Sequence, residues 1–304
     1  MPEAAVIARV VAVCSLAFTL STCVVVPAQT TVTVDFKVTN GYMMVVPVSI
    51  NGRQPIDFLV DTGTSRTMIE RNVADQLELP KVATGMIDGV QGTMRVSLAH
   101  TNSVSLGGAK VSGLNLTVAP EDAGLPHDLR GILGEDFLER FDVLIDNRHH
   151  RIELDLGSGT IGNALDGERL PIRLDGMSAG GPTTGRLIVA SRAPELSRDE
   201  ITLLLDSGIN SLVFLREVQG LGVGAVKQTY RIASPSRASD FVQVSTRVVQ
   251  QLRIGNRVLT NVNAVAPPAR PDADTDGLLP TSFFTSVFVS HSQKYVIFNP
   301  SRRH

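Results

Sequence analysis

The sequence contains no Trp, and aromatics make up only 5% of its 304 residues, against 26 Gly and 16 Pro. That balance leans toward strands and turns and away from a helix bundle. Excess charge of either sign is also missing. A formal net charge of −2 removes any electrostatic case for nucleic acid or an anionic membrane surface as partner. Cysteine is almost absent: Cys14 and Cys23 both lie in the first 28 residues. Once that segment is removed, no thiol and no disulfide remains, and stability must come from the core. The six His show no helical ligand spacing, and His149-His150 reads as a solvated turn, so neither a metal nor another cofactor is expected. Function therefore has to come from a site.

Residues 1–28 read as an export signal. Arg9 precedes an apolar core from Val10 to Leu20, and Val26-Pro27-Ala28 puts small residues at the cleavage position. The expected location is periplasm, cell envelope or exterior. Two minority alternatives stay open, an uncleaved N-terminal anchor and a lipoprotein linked through Cys23 in Leu20-Ser21-Thr22-Cys23. Strand-like sequence starts soon after Ala28, so no basic propeptide and no zymogen step are expected.

Past that point the chain is built around one stretch, Phe58-Leu59-Val60-Asp61-Thr62-Gly63-Thr64-Ser65, where an apolar run ends in an acid, a hydroxyl residue and a glycine. It recurs as Leu203-Leu204-Leu205-Asp206-Ser207-Gly208-Ile209-Asn210. The first copy is followed after 70 residues by Gly131-Ile132-Leu133-Gly134, read as opening a short helix through Leu138, and the second after 71 by Gly277-Leu278-Leu279-Pro280. Matched spacing in matched contexts predicts an internal duplication. The elements around the copies repeat in order. Thr31–Val38, Met43–Ile50 and Ile56–Val60 read as strands, with Asn51-Gly52 as a hairpin turn. A helical pattern over Met68–Leu79 stops at Pro80, and residues 84–99 read as a hairpin. Val104–Lys110 and Leu114–Val118 follow as strands. In the second half Leu187–Ala190 and Ile201–Leu205 lead to Asp206, Gln228–Val249 supplies a second hairpin, and Leu252–Val258 with Val262–Ala266 form a strand pair. A change to Gly, Ser, Thr and Pro marks the boundary. The division is a lobe over 29–160, a linker region over 161–184 and a lobe over 185–304.

Two β lobes related by an approximate two-fold axis would bring the copied turns together, and with them Asp61 and Asp206. Two carboxyls at hydrogen-bonding distance cannot both ionise easily, so such a pair holds one proton over a wide pH range. The ionised member can take a proton from water while the protonated member donates to a carbonyl oxygen. This chemistry needs no metal, no thiol and no His.

On these residues the chain resembles aspartic proteases of the pepsin and retropepsin fold, specifically bacterial exported retropepsin-like proteins with both lobes on one chain. The resemblance covers about residues 40–157 and 185–300. It implies an all-β fold with few short helices, two pseudo-two-fold-related β-barrel-like lobes and a cleft between them. It also implies an aspartic-type peptidase, hydrolysing peptide bonds in a peptide or protein substrate as a monomer. Asp61 and Asp206 are then the catalytic acids. Thr62 and Ser207 brace the turns through their hydroxyls, Gly63 and Gly208 let backbone approach the carboxyls, and Thr64 bonds the outer oxygen of Asp61. Ile132, Leu133, Gly134, Leu278 and Leu279 pack beneath, and Asp88, Gly89, Val90, Gln91 and Gly92 form the tip of a flap over substrate.

The second lobe departs from the pattern. Ile209 stands where a small or hydroxyl residue is usual, and Pro280 replaces a glycine. Two other functions stay open on that ground: a weak or inactive protease-fold protein binding peptides or envelope polymers in the interlobe cleft, and a dimeric enzyme built from two first lobes. Competing motifs fail on context. Gly157-Ser158-Gly159-Thr160-Ile161-Gly162 meets Pro171 too soon for a dinucleotide helix, and Gly220–Ala225 lacks a βαβ setting. Gly176-Met177-Ser178-Ala179-Gly180 runs into Gly181-Pro182 where a nucleophile elbow needs a helix. Asn115-Leu116-Thr117 is a glycosylation triplet only in a glycosylating cell.

Overall fold

The computed structural model describes residues 30–89, 92–119, 128–174, 176–178, 181–183, 185–196, 200–217, 226–234 and 237–303. The predicted signal segment, Val90 and Gln91 at the predicted flap tip, and Gly220–Ala225 lie outside them. Among the described residues the architecture is all-β with short helices only, and it is organised in three main sheets.

The first-half sheet follows the spatial order Lys81–Gly89, Gly92–His100, Asn115–Val118, Met68–Ile69, Gly131–Leu133, Ile56–Val60, Met43–Ile50, Ser103–Leu106, Ala109–Ser112. The second-half sheet, traced from its hairpin, runs Val226–Ser234, Arg237–Ile254, Arg257–Ala266, Leu212–Phe214, Gly277–Pro280, Ile201–Asp206, Ile188–Ser191. The first seven members of each order correspond one to one, including strand sense. The acid-bearing strand is parallel to the Gly-apolar strand in both halves, and the short strand after the acid is antiparallel to it. That strand is parallel in turn to the next one out.

The sequence explains these strands through alternation. In Met43–Ile50, Val46, Val48 and Ile50 point into the core and Pro47 points out. Asn51 and Gly52 both take positive φ, 52° and 71°, the conformation that an Asn-Gly turn is suited to. Each half fills its own core. One cluster joins Val46, Phe58, Val60, Leu133 and Phe137, and the other joins Leu203, Leu205, Phe214, Leu252 and Leu279.

A six-stranded sheet ties the halves together. Its centre is Asp142–Asp146 paired antiparallel with Ser286–Ser290, Val143 opposite Val289 and Ile145 opposite Val287. Leu144, Phe288 and Ile297 point to the opposite face, where Ile161 and Leu165 cover them. Region 161–184, read as linker, thus contributes the short helix Thr160–Asn163 and the strand Leu170–Pro171 to this layer.

Several boundaries differ from the sequence reading. Over Met68–Leu79, Met68–Ile69 is a strand and the helix covers only Arg71–Gln76, because Met68 and Ile69 are drawn into sheet pairing. Gly131–Leu133 is a strand, with the helix confined to Glu135–Leu138. Leu252–Val258 is not one strand. The strand Arg237–Ile254 ends there, and a two-residue turn at Gly255 (φ 55°) and Asn256 starts Arg257–Ala266. Thr31–Val38 breaks at Phe36 into two strands.

Candidate active site

Asp61 stands one residue beyond the strand Ile56–Val60, and its N–H donates to Leu133 O at 3.0 Å. Parallel pairing sets Ile132 beside Leu59 and Leu133 beside Val60, so Gly134 falls beneath the acid. A side chain at Gly134 would come within 2.7 Å of the Arg66 carbonyl carbon and 2.8 Å of Thr64 O, which is why a glycine is needed. In the second half Leu278 and Leu279 pair with Leu204 and Leu205, and Pro280 pairs with Asp206. Pro280 therefore occupies the place of Gly134. It has no N–H, so it cannot copy the bond that Gly134 N–H makes to Thr67 Oγ1.

The two turns are cross-braced. Thr62 N–H donates to Ser207 Oγ and Ser207 N–H donates to Thr62 Oγ1, both at 3.1 Å. Thr62 Oγ1 donates to Leu205 O at 3.0 Å, and Ser207 Oγ donates to Val60 O at 2.8 Å. Each hydroxyl thus serves the opposite turn as donor and acceptor, and all four bonds are buried. The brace leaves almost no room between the acids and the facing glycines. A Cβ on Gly63 would come within 2.5 Å of Asp206 Cγ, and one on Gly208 within 3.0 Å of Asp61 Cγ.

Within each turn the glycine N–H donates to the inner carboxylate oxygen, Gly63 to Asp61 Oδ1 at 2.8 Å and Gly208 to Asp206 Oδ1 at 2.7 Å. Thr64 Oγ1 donates to Asp61 Oδ2 at 2.7 Å. Ile209 has no such hydroxyl, and it packs with Ile188, Leu204, Leu215 and Leu278 instead. The two carboxyls lie close enough that each perturbs the other's ionisation. Burial raises the pKa of both. For Asp61 the bonds from Thr64 and Gly63 pull against that rise. For Asp206 the charge of Asp61 adds to it, and the carboxyl is held well above the ordinary range. Two carboxyls this close share one proton, and two donors on Asp61, Thr64 Oγ1 and Gly63 N–H, against Gly208 N–H on Asp206, favour the ionised form at Asp61.

Two further residues lie within electrostatic reach of the pair. Burial raises the Tyr42 phenol, and the charges of Asp206 and Asp61 raise it further. Arg186 lies close enough for its charge to oppose the rise at Asp206, and its Nη2 donates to Asp274 Oδ1 at 2.8 Å. Hairpin register could have found both. Continuing the Val45–Leu59 pairing puts Met43, next to Tyr42, opposite Asp61, and continuing Ile188–Leu204 puts Arg186 opposite Asp206.

The predicted flap is a hairpin at its base. Lys81–Gly89 pairs with Gly92–His100, Asp88 opposite Thr93 and Gly89 opposite Gly92. The strands Val226–Ser234 and Arg237–Ile254 form its counterpart in the second half. Among the described residues, no group of three or more His, Cys, Asp or Glu is arranged to hold a metal ion.

Residues 46–137 match the family described as aspartyl protease. Among solved structures, a retropepsin-like aspartic protease from Rickettsia conorii is 21% identical; the match covers 41% of this chain and 89% of that one, with a TM-score of 0.29. No curated protein matches.

Proposed function

We propose that this all-β chain, whose residues 46–137 match an aspartyl protease family, is an aspartic endopeptidase that uses Asp61 and Asp206 as one catalytic pair. The observation that carries the proposal is that the two acids stand on turns locked to each other by four reciprocal buried bonds, close enough to perturb each other's ionisation. A structural pair of strand-end acids would not need facing glycines so close that a Cβ would press on the opposite carboxyl, within 2.5 Å at Gly63 and 3.0 Å at Gly208.

The chemistry runs through water and forms no covalent enzyme intermediate. Thr64 and Gly63 favour the ionised form of Asp61, which takes a proton from a water lying between the acids. The water oxygen adds to the scissile carbonyl carbon while Asp206 gives its proton to the carbonyl oxygen. In the tetrahedral diol that results, Asp61 returns its proton to the amide nitrogen and the C–N bond breaks. Asp206 recovers a proton from the diol hydroxyl, which leaves a carboxylic acid, an amine and the starting pair. An extended peptide in the cleft, paired by backbone under the hairpins, is the substrate form this arrangement suits. Both halves offer such a hairpin, so closure from two sides is part of the reading. The apolar N-terminal stretch with Val26-Pro27-Ala28 supports export, and the two acid turns within one chain support action as a monomer.

A pH-resolved digest of a peptide library, with and without a statine-type inhibitor, tests the proposal. Inhibitor-sensitive internal cleavage in the acid range is the expected result. A second reading rests on Ile209, which leaves the outer oxygen of Asp206 without the bond Thr64 gives Asp61. It makes the protein a peptide- or envelope-polymer-binding module. Tight peptide binding with no turnover between about pH 3 and 8, a span covering the usual range of such pairs, would favour it.

A further inference from the structure

Beneath the Asp61 turn lies a buried acid–imidazole pair that the proton chemistry above does not use. Glu135 directly follows Gly134, and its N–H donates to Thr64 O at 2.9 Å. Asp136 N–H donates to Ser65 O at 3.2 Å, and Asp136 Oδ1 accepts from Thr67 N–H and Oγ1 at 2.8 and 2.6 Å. Together these two residues clamp the chain leaving Asp61, including Thr64, whose hydroxyl holds the carboxylate. The Glu135 side chain is fully buried and meets His291 Nε2 at 2.8 Å.

His291 comes from the other half, in the turn between Ser286–Ser290 and Tyr295–Phe298. Its Nδ1 lies 2.7 Å from Phe141 O. A carbonyl oxygen only accepts, so Nδ1 carries a proton, and a further proton lies between Nε2 and Glu135 Oε2. Gly185, where the chain enters the second half at φ 72°, lies over the pair; a Cβ there would come within 2.7 Å of Glu135 Cβ. A buried ion pair adds little to stability compared with an apolar pair of similar size. Its placement between the halves, one bond from the acid turn, is what needs explaining.

We infer that His291 is a positioning residue for Asp61: reaching across from the second half, it anchors Glu135, which holds the Thr64 turn at the spacing the paired acids require. The inference rests on the reading of Asp61 as the base. Burial works against the imidazolium, but the charge and hydrogen bond of Glu135, the Phe141 carbonyl and Asp142 outweigh it, and the His291 pKa is raised. Burial raises Glu135 as well, against the pull of His291, with Glu139 and Asp136 adding to the rise. The charged groups facing the pair are thus Asp136, Glu139 and Asp142, all acidic. Both shifts hold the proton more tightly in the folded state. The anchor's stabilising contribution from His291 is complete below its ordinary value of 6.5 and is lost as pH rises through the raised value.

The test compares His291→Phe with Glu135→Gln in the full chain, by histidine NMR titration and amide hydrogen exchange. In His291→Phe the Gly63 and Glu135 amides should exchange at least about tenfold faster, as expected for local opening of a loosened turn. Exchange at Thr202 and Asp276 should stay unchanged. Glu135→Gln, whose amide can still donate to Nε2, should keep Gly63 protected and bring the His291 titration down. None of this requires turnover, so failure of the anchor and failure of the peptidase reading are told apart. Where turnover is measured, His291→Phe should lower kcat by about 10- to 100-fold with KM little changed, the scale of a small misplacement of a reacting group. Glu135→Gln, which keeps a bond to Nε2, should show little of that loss. Should His291→Phe not fold, His291→Gln supplies the comparison through protection of the Glu135 amide, which donates to Thr64 O and should no longer vary with pH across the range where His291 titrates in the parent. Unchanged Gly63 exchange in folded His291→Phe, pH-dependent protection in His291→Gln, or a His291 titration at or below 6.5 would overturn the inference.

Discussion

Removing the hydroxyl of Thr62 and of Ser207, singly and together, measures how far the two halves depend on their cross-brace. Thr62→Val keeps the side-chain shape and orphans two buried groups, Leu205 O and Ser207 N–H. Ser207→Ala orphans Val60 O and Thr62 N–H. Each stranded buried donor or acceptor costs about 1–3 kcal/mol, so each single variant should lose about 2–6 kcal/mol. Simple addition would place the double variant about 4–12 kcal/mol down, as large as the whole stability of many domains. The four bonds span one contact, so once two are gone the turns can separate and admit water to the other two groups. The double variant should therefore fall short of the sum by more than about 0.5 kcal/mol, the level at which neighbouring sites show coupling. Urea unfolding of the four proteins at one pH supplies the cycle, with equal m values as the condition for comparing midpoints. A loss under about 0.5 kcal/mol in either single variant, the range of ordinary surface substitutions, would refute the reasoning.

The remaining expectations concern the acids. Gly63→Ala should abolish turnover with a properly folded second half, since its Cβ would press within 2.5 Å of Asp206 Cγ; normal turnover would mean that the turns stand further apart. Thr64→Val removes a bond that favours ionised Asp61, so the acid limb of the rate profile should move to higher pH; an unmoved limb would remove Asp61 from the role of base. Both acids have folded-state pKa values above the ordinary 3.8, Asp206 furthest. Their contribution to stability is therefore complete below 3.8 and declines as pH rises through the Asp206 value, by up to about 1.4 kcal/mol per pH unit for one proton. Asp206→Asn should flatten that decline and melt above the parent protein near neutral pH, and a parallel pair of curves would contradict the shared proton.

Much of the site can be read from sequence because its grammar is local. An apolar run that ends in an acid, a hydroxyl and a glycine describes a strand, its last residue and its turn within eight positions. The repeat at matched spacing then says that two such turns exist. Ile209 and Pro280 are legible as departures for the same reason. What escapes is set by pairing at a distance. Tyr42 and Arg186 reach the acids only through hairpin register. Glu135 and His291 are 156 positions apart, and no periodicity marks either one. Met68–Ile69 reads as helix from its apolar spacing, but it is held as strand by neighbours on both sides. Leu252–Val258 looks continuous because Gly255-Asn256 is flanked by strand formers, and the turn is visible only through the left-handed φ at Gly255.

The central claim is that two carboxyls, one from each half, act as a single catalytic unit on peptide bonds. The most direct measurement is acid-range peptide cleavage by the purified protein beside Asp61→Asn and Asp206→Asn. Turnover in the parent and its loss in both variants is the predicted result. Turnover that survives in either variant would contradict the claim; survival in Asp206→Asn alone would show that the second half is not part of the chemistry.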